Sequence, residues 1–167
     1  MTRIGVIGDT HGGLPEGVTA AFAGVDRIIH TGDVGGLAIL AALDAIAPVT
    51  AVRGNYDTEP ELQPRLLPDP SALNIAGLSA FLTHRLITLE WNTYRELIAD
   101  ALVQKGFPPR LFIFGHTHSP VLEHIRGIWF VNPGYAGPDR LEGPATAVVL
   151  TIAGDDVKGE IVSLLAP

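Results

Sequence analysis

"RIGVIGDTH", residues 3–11, is the stretch whose reading decides the fold. Arg3–Gly8 is a short, nearly continuous apolar run, the pattern of a strand buried on both faces of a sheet. It ends on Gly8, and a carboxylate and an imidazole follow at once in Asp9 and His11. Open α/β folds place their sites at such carboxyl ends of parallel strands. The next segments support that class. Pro15–Phe22 suits a short helix with proline in its first turn. Arg27–His30 reads as a strand, Leu37–Ala47 as a helix stopped by Pro48, and Val49–Val52 as a third strand. The order βαβαβ implies parallel strands joined by right-handed crossovers.

The second half changes character. Thr58–Ser71 carries four prolines and is expected to be irregular. Leu73–Ala76 and Leu78–Thr83 flank Gly77 and read as a hairpin. Trp91–Gln104 has helical spacing, its apolar stripe is core, and Gly106 with Pro108 ends it. Leu111–Phe114 is another buried strand. Val121–Ile125, Gly127–Val131, Ala145–Ile152 and Val157–Val162 are strand-like. More strands than helices in this half suit two packed sheets with helices outside.

The bulk numbers bound the function. The chain has 167 residues, with 47% apolar and 17% charged, which predicts one globular domain over residues 1–167. A net charge of −7 argues against broad contact with a nucleic-acid backbone, and hence against a nuclease subunit. A short nucleotide is compatible with it. There is no cysteine, so a metal site must use nitrogen and oxygen. The opening "MTRIGVIGDTHGG" does not read as a signal peptide, and no run approaches the roughly 18 apolar residues of a membrane span. The expectation is a soluble cytoplasmic protein with no membrane contact.

The strand ends collect one kind of chemistry. "GDTH" (8–11), "HTGD" (30–33), "RGNYD" (53–57), "LTH" (82–84) and "GHTH" (115–118) each close a strand read from the pattern. Together they offer oxygens from Asp9, Asp33 and Asn55 and imidazoles from His11, His84, His116 and His118. Residues i and i+2 of an extended segment point to one side. Asp9 with His11, and His116 with His118, are therefore each expected to face one pocket. Gly8, Gly32, Gly54 and Gly115 allow sharp turns or close approach. Seven ligands exceed the needs of one ion and suit two that share a carboxylate. Mixed nitrogen and oxygen donors favour Mn, Fe, Zn, Co or Ni over Ca or Mg. Two such ions about 3.5–4 Å apart can hold a bridging hydroxide and clamp a phosphoryl group for in-line attack.

Single residues have plainer readings. Asp9 or Asp33 alone reads as a cap or turn residue, Asn55 as a turn residue, and His84 as a core histidine. Two imidazoles after a buried run are costly without partners, so "GHTH" favours a site. His30 reads as core or as support behind the site, and His124 as exposed. Asp57 either orients a ligand or makes a turn. Asn132 and Gly134 shape a turn near the pocket. Trp91 and Trp129 pack.

In this order, "GDTHG", "GD", "GN-x-D", "TH" and "GHTH" resemble the calcineurin-like metallophosphoesterase superfamily, in particular its small bacterial and archaeal phosphodiesterase branch. The motifs run from Asp9 to His118, and "VNPG" (131–134) is similar to that branch as well. The resemblance implies a four-layer α/β/β/α sandwich of two mixed β-sheets flanked by helices. It implies one ion on Asp9, His11, Asp33 and His118, and another on Asp33, Asn55, His84 and His116, with Asp33 bridging and manganese the expected metal. His11, Asn55, His116 and Asp33 would be the catalytic set, acting on a small phosphate ester. It also implies a rival, a non-catalytic protein-binding scaffold on the same fold, and relatives that form homo-oligomers. Two positions depart from the pattern. Tyr56 stands where many members have histidine; a phenol, with an ordinary pKa of about 10, donates hydrogen bonds but is a weak acid catalyst at neutral pH. Arg85 replaces a common glycine and can reach a substrate phosphate or point to solvent. Both are candidate substrate-binding residues.

Overall fold

A computed structural model describes residues 1–86, 91–138 and 143–165. Eleven strands and three helices are found among them. The first half gives β1 (Thr2–Ile7), α1 (Val18–Ala21), β2 (Arg27–His30), α2 (Leu37–Asp44) and β3 (Val49–Val52). A 3-10 turn at Gln63–Arg65 then leads to β4 (Leu66–Leu67), β5 (Ser71–Ile75) and β6 (Leu78–Leu82). The rest is α3 (Trp91–Gln104), β7 (Leu111–Ile113), β8 (Val121–Ile125), β9 (Ile128–Asn132), β10 (Thr146–Ala153) and β11 (Asp156–Ser163).

The strands form two mixed sheets. The first runs β11-β10-β1-β2-β3-β4, with β1 to β4 parallel and β10 antiparallel to both its neighbours. The second runs β5-β6-β7-β9-β8, with β6, β7 and β9 parallel inside two antiparallel edges. Period-two alternation sorts their side chains into layers. Ile4, Val6, Ile29, Val52 and Val148 meet Leu82, Leu111, Ile113 and Val131 between the sheets. Ile7, Ile28 and Ala51 face the opposite way, toward Val18 and Phe22 near α1 and Leu40 and Leu43 of α2. Phe112, Phe114 and Phe130 lie under Trp91 and Ala99 of α3. The result is the expected α/β/β/α sandwich.

Three expectations need correction. The helix expected over Pro15–Phe22 is only one turn, because Gly17 gives its N–H to the Leu164 carbonyl at 3.2 Å. That contact admits no side chain, since a Cβ on Gly17 would lie 2.5 Å from the same oxygen. The helix expected to reach Ala47 ends at Asp44, whose carboxylate accepts the Val49 N–H at 2.9 Å. The proline-rich stretch expected to be irregular contains β4, paired with Ala51 and Val52 of β3. Flanking prolines are tolerated there because β4 is an edge strand with one side unpaired.

Candidate metal centre

The parallel strands β1, β2 and β3 end at one edge of the first sheet, and β6 and β7 end beside them in the second. Loops after these strands carry all seven residues of the expected constellation. Two groups form. Asp9, His11 and His118 bring ligand atoms within 4.8 Å of one another, and so do Asp33, His84 and His116. Each group takes its carboxylate from the first sheet and at least one imidazole from the second.

The local geometry differs from the expected extended one. β1 stops at Ile7 and β7 at Ile113, and the residues beyond turn over. Asp9, His11, Asp33, His116 and His118 all have left-handed backbone, with φ of 50°, 45°, 54°, 68° and 56°. Such a conformation is rare outside glycine; Asp and His tolerate it better than most. Peptide bonds between loops hold it: the Asp9 N–H donates to the Gly32 carbonyl and the His11 N–H to that of Asp33, both at 3.0 Å. His116 and His118 likewise leave a turned rather than an extended backbone. The turn sends His118 to Asp9 and His116 to Asp33.

Close approach of the loops depends on missing side chains. A Cβ on Gly54 would lie 2.1 Å from both the amide nitrogen and Oδ1 of Asp33. At Gly115 it would meet Thr31 Oγ1 at 2.5 Å and Asp9 Oδ2 at 3.1 Å. The His116 N–H then donates to that same Asp9 oxygen at 3.1 Å, linking the two sheets at the floor of the site.

The Asp33 half is buried and tightly bonded. Asp33 is 1% exposed; its Oδ1 accepts the Tyr56 N–H at 2.8 Å and its Oδ2 faces His84 Nε2 at 3.3 Å. Burial alone would raise its pKa, but bonds from His84 and the Tyr56 amide hold it below the ordinary carboxylate value. His84 Nδ1 lies 2.9 Å from the Thr31 carbonyl, and Nε2 lies 2.9 Å from Asn55 Oδ1. Both ring nitrogens thus face acceptors. Burial pulls the His84 pKa down, yet the Asp33 bond and charge outweigh it and leave the pKa raised. His116 is lowered by burial, with His84 and Arg85 adding like-charge repulsion, so its neutral form is favoured.

The Asp9 half is more open. His118 Nε2 faces Asp9 Oδ1 at 3.4 Å, and the side chains of His11 and His118 are 28% and 25% exposed. Asp9 Oδ1 and His11 Nε2 are buried atoms with no hydrogen-bond partner. Orphaned polar atoms of this kind are costly and call for an explanation. A divalent cation explains both, because a carboxylate oxygen and an imidazole nitrogen are ordinary ligands for one. The donor set therefore fits a metal.

The other expected residues are placed as follows. Asn55 is exposed and reaches the site through His84. Tyr56 is 68% exposed with its ring edge-on to His11, centroids 5.7 Å apart. Arg85 is exposed and close enough to His116 to depress it. His30 is buried; its Nδ1 accepts the Gly32 N–H at 3.1 Å, and its Nε2 lies 2.9 Å from Thr10 Oγ1. Burial drives its pKa down to about 4, so it supports the loops as a neutral ring. Asn132 ties down the "GHTH" loop, donating to the Gly115 carbonyl at 3.2 Å and to Thr117 Oγ1 at 3.0 Å. His124 is exposed and stacks on Trp129 at 5.0 Å. Two participants were missed. Thr10 is fully buried and relays His30 to the Val34 carbonyl at 2.8 Å. Tyr135 walls the open half, its ring centroid 4.7 Å from that of His118. Thr10 lies inside a motif and was findable; no pattern around Tyr135 marks it.

Comparison with known proteins agrees with this geometry. The calcineurin-like phosphoesterase superfamily domain matches residues 2–155. A probable metallophosphoesterase of Methanothermobacter thermautotrophicus is 32% identical over 98% of this chain and 94% of its own length. A phosphodiesterase of Methanocaldococcus jannaschii is 25% identical over 79% of this chain and 82% of its own. Among solved structures, Vps29 from Entamoeba histolytica, crystallised as a complex with Zn²⁺, superposes with a TM-score of 0.72 at 22% identity, covering 98% of this chain and 99% of that one. These matches and the five ordered motifs establish that the chain belongs to the calcineurin-like phosphoesterase superfamily.

Proposed function

We propose that the chain is a metal-dependent phosphoesterase, acting on small phosphodiesters through a site for two divalent transition-metal ions. One observation carries this reading. A single oxygen, Asp33 Oδ2, faces His11 Nε2 at 3.9 Å and His84 Nε2 at 3.3 Å, so one carboxylate lies between the two groups. Asp9, His11, Asp33 and His118 would hold one ion, and Asp33, Asn55, His84 and His116 the other. Manganese is the expected ion, with Fe, Zn, Co or Ni as chemically suitable substitutes. Bound ions supply Lewis acidity toward a phosphoryl group and a water made nucleophilic at neutral pH. The protein's own contribution is placement. The Asp33 carboxylate stays ionised, the neutral His116 offers a lone pair, and the Asn55 amide meets the same pocket. Tyr56 and Arg85 stand at the rim, where they would contact substrate. The diester preference rests on likeness to the M. jannaschii phosphodiesterase.

The test is hydrolysis of bis(p-nitrophenyl) phosphate with Mn²⁺ and with EDTA, alongside calorimetric Mn²⁺ binding. Mn²⁺-dependent hydrolysis that EDTA abolishes is expected. Mn²⁺ binding without hydrolysis of this diester or of p-nitrophenyl phosphate would overturn the reading in favour of a scaffold.

A further inference from the structure

Asp57 is 2% exposed, and its carboxylate collects four peptide N–H groups. Oδ2 accepts from Asp33 at 2.9 Å and from Gly54 at 2.8 Å; Oδ1 accepts from Val34 at 2.7 Å and from Gly35 at 3.3 Å. Three of these donors belong to the loop carrying Asp33, and the fourth precedes Asn55. The two loops follow different strands, β2 and β3. One buried carboxylate therefore spans both, and oxygen Oδ2 alone touches each of them. Its backbone is anchored in turn, with the Asp57 carbonyl accepting from Gln63 Nε2 at 2.7 Å. A local turn needs only one or two such bonds, and they would stay within the turn.

We infer that Asp57 is a positioning residue that sets the separation of Asp33 and Asn55 before any ion arrives. The inference rests on the reading of Asp33 and Asn55 as metal ligands. Charge-assisted bonds from peptide N–H groups to a buried carboxylate are strong, and four of them leave the grip little freedom. A neutral amide in its place has one acceptor oxygen and turns an NH₂ group toward two N–H donors. Groups that orient ligands from behind typically carry 10–100-fold in metal affinity.

The experiment measures Mn²⁺ binding by calorimetry and diester hydrolysis for the parent and Asp57→Asn, with far-UV circular dichroism as the control for folding. The expected result is a folded variant with Mn²⁺ affinity weakened about 10–100-fold and kcat at saturating Mn²⁺ within a few-fold of the parent. A variant that binds Mn²⁺ like the parent and loses only thermal stability would overturn the inference. If the variant does not fold, amide hydrogen exchange on the metal-free parent decides. Protection of the Asp33, Val34 and Gly54 N–H groups supports the grip, and exchange at free-loop rates refutes it. A parent that binds no Mn²⁺ sinks the proposed function instead, while the exchange pattern still reports on Asp57.

Discussion

The two halves of the site are built from the same residue types but held differently. Around Asp33, every polar atom discussed has a protein partner: His84 lies between Thr31, Asn55 and Asp33, and Asp33 accepts the Tyr56 N–H. Around Asp9, two buried atoms have no hydrogen-bond partner and only longer ion-pair contacts, and both imidazoles reach partly into solvent. The raised pKa of His84 supplies the reason. With both ring nitrogens against acceptors, the metal-free Asp33 half can be neutralised by a proton on His84. The closed half is preorganised by hydrogen bonds and, when His84 is protonated, must release that proton to take an ion, whereas the open half is more exposed to solvent.

The comparison is broken most directly at the carboxylates. Asp33→Asn is expected to lower diester hydrolysis about 10³-fold, since it weakens the oxygen facing both groups, and Asp9→Asn about tenfold less severely. Equal losses, measured as kcat/KM with Mn²⁺, would show the halves to be interchangeable.

Ion binding sharpens it next. Calorimetric titration should resolve two steps, with His84→Ala removing the tighter and His118→Ala the weaker. Acidification should act first on the Asp33 half. The folded pKa of His84 lies above the ordinary 6.5, so protons begin to compete for Nε2 above that pH. The tight step should therefore weaken as pH falls through the raised value, and His84→Ala should remove that dependence. Its contribution to metal-free stability has the opposite sense, present below the unfolded value of 6.5 and lost as pH rises through the folded one.

The smallest effect concerns His30, which lies behind both halves. Its pKa falls from 6.5 to about 4 on folding. Below pH 6.5 the unfolded chain binds the proton more readily than the fold does, so stability drains away from pH 6.5 down to about 4. The full loss from this ring is roughly 3 kcal/mol. Urea unfolding of the metal-free protein at pH 7 and pH 4.5 should show a smaller difference for His30→Gln than for the parent, and identical differences would refute the assignment.

Much of this was legible in the residues. The apolar runs of the first half predicted the parallel strands β1, β2 and β3, because a fully buried parallel strand reads as a continuous run. The meeting of Asp9, Asp33, His84 and His116 followed from the ends of parallel strands sharing an edge. The inequality of the halves was not legible. It depends on which peptide groups face His84 and Asp9, and loop crossings between distant segments decide that. The left-handed turns at His116 and His118 were hidden for a related reason: their spacing suggests an extended run, while hydrogen bonds between loops impose the turns. β4 escaped because two leucines between prolines carry no period.

Each candidate metal group draws on both sheets, and this would tie metal binding to mechanical integrity. Asp9 and His11 come with His118 from across the molecule, and Asp33 comes with His84 and His116. An ion seated in either group acts as a rivet through the sandwich, and pulling the layers apart would require tearing it out. Heat tolerance should therefore rise with metal supply, and a cell starved of the metal would lose the protein along with its chemistry.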